Sequence, residues 1–251
     1  MQRGMWLLEK SRATFDRVGG ALLSLFYPPH CAACGVNTGS GVHLCEVCAA
    51  TVTRIESPFC RVCSQPFYGA ITGEFTCSNC ADRRFHFDCA VTRFMSRDVV
   101  REFIHRFKYE REFYLRHPLA DWAAEALEDA RLGAPAFDFL VPVPLHAARQ
   151  REREFNQAEA IAKLLAKRNG VPVYEALQRV RYTTTQTRLD RSERMENLRG
   201  AFRVRHPARV LRRHILLVDD IFTTGSTVDE CARVLRKAGA ASVRAITVAR
   251  G

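Results

Sequence analysis

The sequence predicts an α/β fold, a mainly parallel sheet with flanking helices, with a small cysteine-rich module in front of it. Three observations predict it. Eight of the ten cysteines occur before residue 81 as four Cys-x2-Cys pairs. From about residue 91, apolar segments alternate between helical and strand spacing. Near the end, the apolar run His214 to Asp220 leads through a small-residue turn into a helix, the strand–turn–helix order of a parallel sheet.

At 251 residues the chain has room for one sizeable core and a smaller module. With 47% hydrophobic and 26% charged residues, the composition is that of a folded globular protein rather than a disordered one. The net charge of +11 invites an anionic partner: nucleotide, nucleic acid or a membrane surface. Between Val141 and Arg213 there are 17 Lys+Arg against 7 Asp+Glu, so the excess is concentrated there. An anion-binding region explains that concentration; a solvated basic surface is the alternative.

Taken in order, residues 1–30 predict an amphipathic helix with Trp6, Leu7, Phe15, Val18, Leu22, Leu25 and Phe26 on its apolar face. Its polar face is too weakly basic to favour a membrane surface over docking on the rest of the chain. Residues 31–90 are rich in Cys and Gly and lack long apolar runs, so burial alone gives them no core. Residues 91–251 form the main domain. Val99, Phe103, Ile104 and Phe107 fit one helix, and Leu119, Trp122, Ala123, Ala126 and Leu127 fit another. Phe137 to Leu145 reads as a short buried strand ending in a proline-rich loop. A helix follows from Gln157 to Arg168, closed by Asn169-Gly170. The stretch 178–200 is polar and Arg-rich without a period, and reads as a mobile loop. A strand at His214–Asp220, a helix at Thr227–Lys237 and a strand at Ser242–Ala249 complete the domain.

The cysteine spacing is Cys31-x2-Cys34-x10-Cys45-x2-Cys48, then Cys60-x2-Cys63-x13-Cys77-x2-Cys80. Each Cys-x2-Cys knuckle points two sulfurs at one tetrahedral centre, and eight ligands make two closed four-thiolate sites. Zinc fits regular paired knuckles better than an iron–sulfur cluster, a disulfide or a redox pair. Two structural zinc ions, each worth roughly 10–16 kcal/mol in such peptides, would replace the missing core. Spacing alone permits consecutive or interleaved quartets. Cys89 and Cys231 are left over as small buried residues. Paired thiolates without a secretory leader, and an apolar stretch near Gly19–Tyr27 too short to span a bilayer, predict a cytoplasmic protein.

The chemistry concentrates in Ile215 to Thr227. A buried strand delivers Asp219 and Asp220 at its carboxyl end, where open α/β sheets bind ligands. Then Ile221, Phe222, Thr223, Thr224, Gly225, Ser226 and Thr227 form a hydroxyl-rich turn opening onto a helix. Backbone amides, hydroxyls and the helix N-terminus together cradle a phosphate, and Gly225 permits a close backbone approach. Acids beside a phosphate cradle suit a sugar phosphate, whose hydroxyls donate to carboxylates. A capped helix after an ordinary strand, or a receiver-type acidic pocket, explains only half of this.

Residues 215–227 resemble the phosphoribosyl-pyrophosphate (PRPP) motif of type I phosphoribosyltransferases at all thirteen positions. The resemblance implies that Asp219 and Asp220 contact the ribose hydroxyls and that Thr223 to Thr227 hold the 5′-phosphate, with magnesium riding on the ligand's pyrophosphate. Val141-Pro142-Val143-Pro144-Leu145, Arg149, Arg153, Phe155-Asn156-Gln157-Ala158, Gln186-Thr187-Arg188-Leu189, Arg191, Arg194, Asn197 and Phe202 extend the likeness to the ComF family. Its members join a zinc ribbon to a phosphoribosyltransferase-type domain and are associated with DNA uptake in competence. Glu154 departs from the pattern: the family has Gly between Arg and Phe, and Glu154 sets a negative charge in a loop turned toward pyrophosphate.

Arginine forks suit pyrophosphate oxygens. Arg149, Arg153, Asn156 and Gln157, with Gln186, Arg188, Arg191 and Arg194 of the polar stretch, are therefore the candidate pyrophosphate and loop residues. Surface arginines paired with Glu152, Glu154, Glu193 and Glu196 are the alternative. Lys108 is a further candidate for the pocket wall. Two functions follow. One is an enzyme that transfers phosphoribose from PRPP to an acceptor, with Asp219 and Asp220 at the reacting sugar. The other is a non-catalytic zinc-ribbon protein of transformation that binds single-stranded DNA and works with competence proteins. In it, basic and apolar residues alternate in Phe202–Arg205, Arg209–Arg213 add charge, and the ribose-phosphate site is a sensor or relic.

Overall fold

The computed structural model describes residues 30–39, 42–182 and 197–251. The predicted N-terminal helix lies outside them. The chain divides into two compact units, one ending at Thr51 and the other running from Val52 to Gly251. The first described unit holds the first cysteine quartet and one short helix, Glu46–Ala50.

In the second unit the strands β1 (Ala90–Val91), β2 (Phe94–Met95), β3 (Phe139–Pro142), β6 (His214–Phe222) and β7 (Ser242–Arg250) form one sheet in the order β1-β7-β6-β3. The strand β2 also pairs with β7, and every pairing in the sheet is parallel. Ile215 to Val218 of β6 are fully buried. Such a continuous apolar run belongs to a strand covered on both faces.

The covering helices follow from the sequence. α1 (Asp98–Tyr109) buries Val100, Phe103, Ile104 and Phe107, one stripe at helical spacing. α2 (Arg116–Glu125) and α4 (Gln157–Asn169) pack together, α4 also against β3 and β6. The N-terminus of α4 is capped by the Asn156 carboxamide, and Gly170, at φ 74°, ends it. α5 (Ser226–Lys237) puts Val228, Cys231, Ala232 and Leu235 into one cluster with Ile215 and Leu217. Side chains alternate across a strand, which leaves Leu216 and Val218 for the opposite face.

Two elements escape the sequence reading. α3 (Ala147–Arg153) is a seven-residue helix in a stretch, between the proline-rich loop and the helix from Gln157, for which the sequence predicted no element. Most of the polar stretch 178–200, residues 183–196, lies outside the described residues. Its flanks form an antiparallel hairpin of β4 (Leu177–Arg179) and β5 (Phe202–Val204), held by main-chain pairing too short to show a period. The second cysteine quartet packs in the same apolar cluster as β6 and α5, together with Phe87.

Candidate ribose-phosphate and metal sites

The strand β6 carries the two acids to the sheet's carboxyl edge. Asp220 is buried and Asp219 half-buried, and the Asp220 N–H donates to Asp219 Oδ1 at 2.9 Å. Burial, then the like charge of Asp220, push the Asp219 carboxyl up to about 7, against the pull of Lys108. Lys108, the penultimate residue of α1, donates to Asp220 Oδ1 at 2.7 Å, and both side chains are largely buried.

After β6 the chain turns through Thr223 and Thr224 to Gly225, which sits in the left-handed region at φ 79° and begins α5. A Cβ there would lie 2.6 Å from the Phe222 ring, so glycine is required by both torsion and space. Gly225 offers α5 no capping side chain of its own, and the first helical N–H, that of Ser226, reaches Thr224 Oγ1 at 3.4 Å. Thr224 and Ser226 hydroxyls meet at 2.8 Å. Thr223 is exposed, Thr224 and Thr227 are half-buried, and Gly225 and Ser226 are buried. Ile221 is half-buried and Phe222 buried, serving as the floor rather than the lip.

The neighbouring strand sets the second half. Pro142 pairs with Val218, and the Val143 N–H donates to the Val218 carbonyl, so the chain after β3 emerges beside the acids. Asn156 Nδ2 donates to the Val143 carbonyl while its Oδ1 accepts from Ala158 N–H. Asn156 therefore holds the loop and caps α4. Gln157, 1% exposed, accepts from Arg153 Nη1 at 3.0 Å. Arg153 also donates to the Tyr109 hydroxyl and lies over that ring. Between these elements is a cavity of about 280 Å³, lined by Lys108, Arg111, Arg149 and Arg153, the rings of Tyr109 and Tyr182, and a single acid, Glu152. Glu154, left-handed at φ 68°, ends α3 and pairs with Arg111 at 2.7 Å. A positive φ there gives a physical reason for glycine at this position in the family.

Arg179 of β4, half-buried, is among the residues sequence reasoning did not single out. Burial, then Arg149, lower its pKa, against the pull of the Asp219 carboxylate. Its three-residue strand offered no pattern. Tyr109, Arg111 and Tyr182 were missed as well; only their closeness in sequence to Lys108 and to the Arg-rich stretch hinted at them. Gln186, Arg188, Arg191 and Arg194 lie outside the described residues.

The cysteines form consecutive quartets: Cys31, Cys34, Cys45 and Cys48, then Cys60, Cys63, Cys77 and Cys80, with the ligand sulfurs of each within 4.8 Å of one another. Cys34–Cys45 and Cys63–Cys77 are 3.7 Å apart. Sulfurs about 2.3 Å from a tetrahedral zinc lie about 3.8 Å from one another, so both sets fit the metal. Four thiols on one centre titrate as a group: hydrogen bonds from Cys63 and Cys80 drive Cys60 far down, while Cys63 is pushed up to about 12. The leftover Cys89 and Cys231 are both buried, and burial raises both thiols, Cys89 to about 11.

A double zinc ribbon domain model matches residues 22–81, and a phosphoribosyl transferase domain model matches residues 156–251. The molecule is thus of the class that joins a double zinc ribbon to a phosphoribosyltransferase-type domain. Competence protein F of Haemophilus influenzae is 30% identical to it over 213 residues, covering 81% of this chain and 90% of its own. DNA utilization protein YhgH of Salmonella typhi is 33% identical over 204 residues, with 80% and 87% covered. Competence protein ComFC of Streptococcus pneumoniae is 26% identical over 209 residues, with 78% and 89% covered. The chain belongs to the ComF family. A solved glutamine PRPP amidotransferase from B. subtilis overlaps 57% of this chain at 20% identity and a TM-score of 0.37, and this chain spans 30% of that enzyme. Among the described residues no helix is long and apolar enough to cross a membrane.

Proposed function

We propose that this protein binds PRPP with magnesium and transfers its phosphoribosyl group to an acceptor, in the service of DNA uptake or use in the cytoplasm. Asp219 and Asp220 receive the ribose hydroxyls, and Thr223 to Thr227 hold the 5′-phosphate at the start of α5. Lys108, Arg149 and Arg153 face the pyrophosphate. In the transfer, the bond from ribose C1 to the pyrophosphate oxygen breaks with its electron pair leaving on pyrophosphate. A lone pair of the acceptor forms the new bond to C1. Cavity cations and magnesium stabilise the charge that develops on the leaving group. The observation that carries this reading is the juxtaposition of twin acids, a glycine turn at the start of a helix and a cation-lined cavity reached by the same lysine.

Calorimetry of PRPP and Mg²⁺ tests it. The wild type should bind, and Asp219→Asn/Asp220→Asn should lose at least about tenfold in affinity, the loss of one or two charge-assisted hydrogen bonds. A wild type that does not bind PRPP overturns it. A pyrophosphate-release assay over candidate acceptors then tests turnover.

A second reading, a non-catalytic protein that grips single-stranded DNA, is favoured by one observation: Arg203, Arg205, Arg209, Arg212 and Arg213 are all exposed along one short stretch. It predicts a steep fall in DNA affinity with salt. Charge reversal at Arg212 and Arg213 that left DNA affinity unchanged would remove the patch from the argument.

A further inference from the structure

Lys108 belongs to both halves of the site at once. Its Nζ sits 2.7 Å from Asp220 Oδ1, and the same side chain lines the cavity beside Arg111, Arg149 and Arg153. The helix beneath it is anchored by Phe103, Ile104 and Phe107, so its backbone is fixed while the ammonium rides on a flexible four-carbon stem. The acid is less free: its carboxyl has a short stem at the end of a buried strand, and its N–H is tied to Asp219.

Lys108 is the counter-ion of Asp220, and its charge also draws the neighbouring Asp219 carboxyl down. A ribose bound to those acids donates hydroxyls into the space the ammonium fills. A largely buried ammonium that loses its carboxylate needs another anion. The cavity it already lines is where such an anion would lie.

Resting on the ribose-pyrophosphate reading of the site, we infer that Lys108 is a shuttle between the two halves. It guards Asp220 until ribose hydroxyls take the carboxylate, and then moves to the pyrophosphate. The leaving group is gripped fully only when the sugar is seated, which suppresses loss of pyrophosphate from a misplaced ligand. The two halves must then bind cooperatively, and the coupling is reciprocal.

The test is calorimetry with ribose 5-phosphate and with inorganic pyrophosphate, each with Mg²⁺, alone and in the presence of the other. In the wild type, ribose 5-phosphate should tighten pyrophosphate by about tenfold, within the usual range of such couplings. In Lys108→Met, pyrophosphate should weaken about tenfold and the coupling vanish, while ribose 5-phosphate binds as well or better, its competitor for Asp220 gone. Asp220→Asn releases Lys108 by a second route and should tighten pyrophosphate severalfold in the absence of any sugar. That variant keeps the test intact if Lys108→Met fails to fold. Equal weakening of both ligands in Lys108→Met makes Lys108 only the acids' counter-ion and overturns the shuttle. So does a wild type that binds both ligands without coupling, or an Asp220→Asn with unchanged pyrophosphate affinity. A wild type that binds neither ligand sinks the underlying ribose-pyrophosphate reading instead.

Discussion

The two cysteine quartets have the same knuckle spacing and opposite surroundings. In the first, Cys31 is buried, Cys34 exposed, and Cys45 and Cys48 half-buried, and the helix Glu46–Ala50 buries no residue at all. In the second, all four cysteines are 5% exposed or less and share a cluster with β6 and α5. From that quartet a chain of contacts runs to the Thr223–Thr227 turn. Arg250 donates to the Cys63 carbonyl and lies over Phe222, whose ring underlies Gly225. Phe87 meets Phe222 edge-on, and the His86 N–H donates to Asp229, whose own N–H reaches the Gly225 carbonyl. The second metal motif is thus part of the frame beneath the Thr223–Thr227 turn, while the described residues of the first bury little beyond Cys31. Burial, not spacing, makes the difference.

The largest effect that sharpens the contrast is metal loss. Cys60→Ser should remove the second zinc and, with it, folding energy on the order of 10 kcal/mol, lowering the main thermal transition by about 20–40 °C or abolishing it. Cys34→Ser should lower bound zinc from two ions to one per chain and leave that transition within about 2 °C. Zinc content and calorimetric melting measure both. Equal effects from the two variants would break the comparison.

Next comes Arg250→Ala. The side chain, 3% exposed, gives three hydrogen bonds, to the Cys63 carbonyl and to Gln65 Oε1. Its removal should cost about 3 kcal/mol, or about 6–12 °C, with both zinc ions retained. Gly225→Ala acts at the far end of the same chain of contacts. The left-handed torsion and the Phe222 contact should cost about 1–3 kcal/mol and weaken ribose 5-phosphate about tenfold. If Gly225→Ala bound as the wild type does, Phe222 would not be shaping the turn.

The metal ligands and the twin-acid turn were legible because each is local: paired knuckles, and an apolar strand running into acids and glycine. How the knuckles pair was not, since both arrangements satisfy the spacing; only the approach of Cys45 to Cys34 and of Cys77 to Cys63 decides it. The Lys108–Asp220 pair spans 112 residues, and its only trace in the sequence is a lysine beside the apolar stripe of α1. The helix α3 is AARQRER, too polar to show an apolar face, and is set instead by the His146 cap at one end and the left-handed Glu154 at the other. Arg179 reads as one more polar residue until the hairpin buries it.

A smaller effect distinguishes the acids from the frame beneath them. The Asp219 carboxyl is raised to about 7, so between about pH 4 and 7 the folded chain holds a proton that the unfolded chain has released. Its contribution to stability therefore falls as pH rises through that window, with a slope of at most about 1.4 kcal/mol per pH unit. Asp219→Asn should flatten that slope and raise stability above pH 7 while ribose binding is lost. Urea melts at pH 5 and pH 8 read the difference; an unchanged slope would place the proton elsewhere.

The smallest effect belongs to the rim, and it tests whether the site can be tuned without touching the metal frame. The Arg111–Glu154 pair is more than half exposed on both sides, so it is worth about 0.2–1 kcal/mol. It nevertheless takes one of the four cavity cations away from an incoming polyanion. Glu154→Gln, which keeps the backbone, should tighten pyrophosphate by about two- to fivefold at low salt, with the gain fading as salt screens the pair. Glu154→Gly removes the same charge and also the left-handed strain, so it should match Gln in affinity and exceed it in stability by at most about 1 kcal/mol. Zinc content should stay at two ions in both variants. A gain in affinity with Gly but not with Gln would mean that the departure from the family pattern acts through the shape of the turn after α3 rather than through its charge.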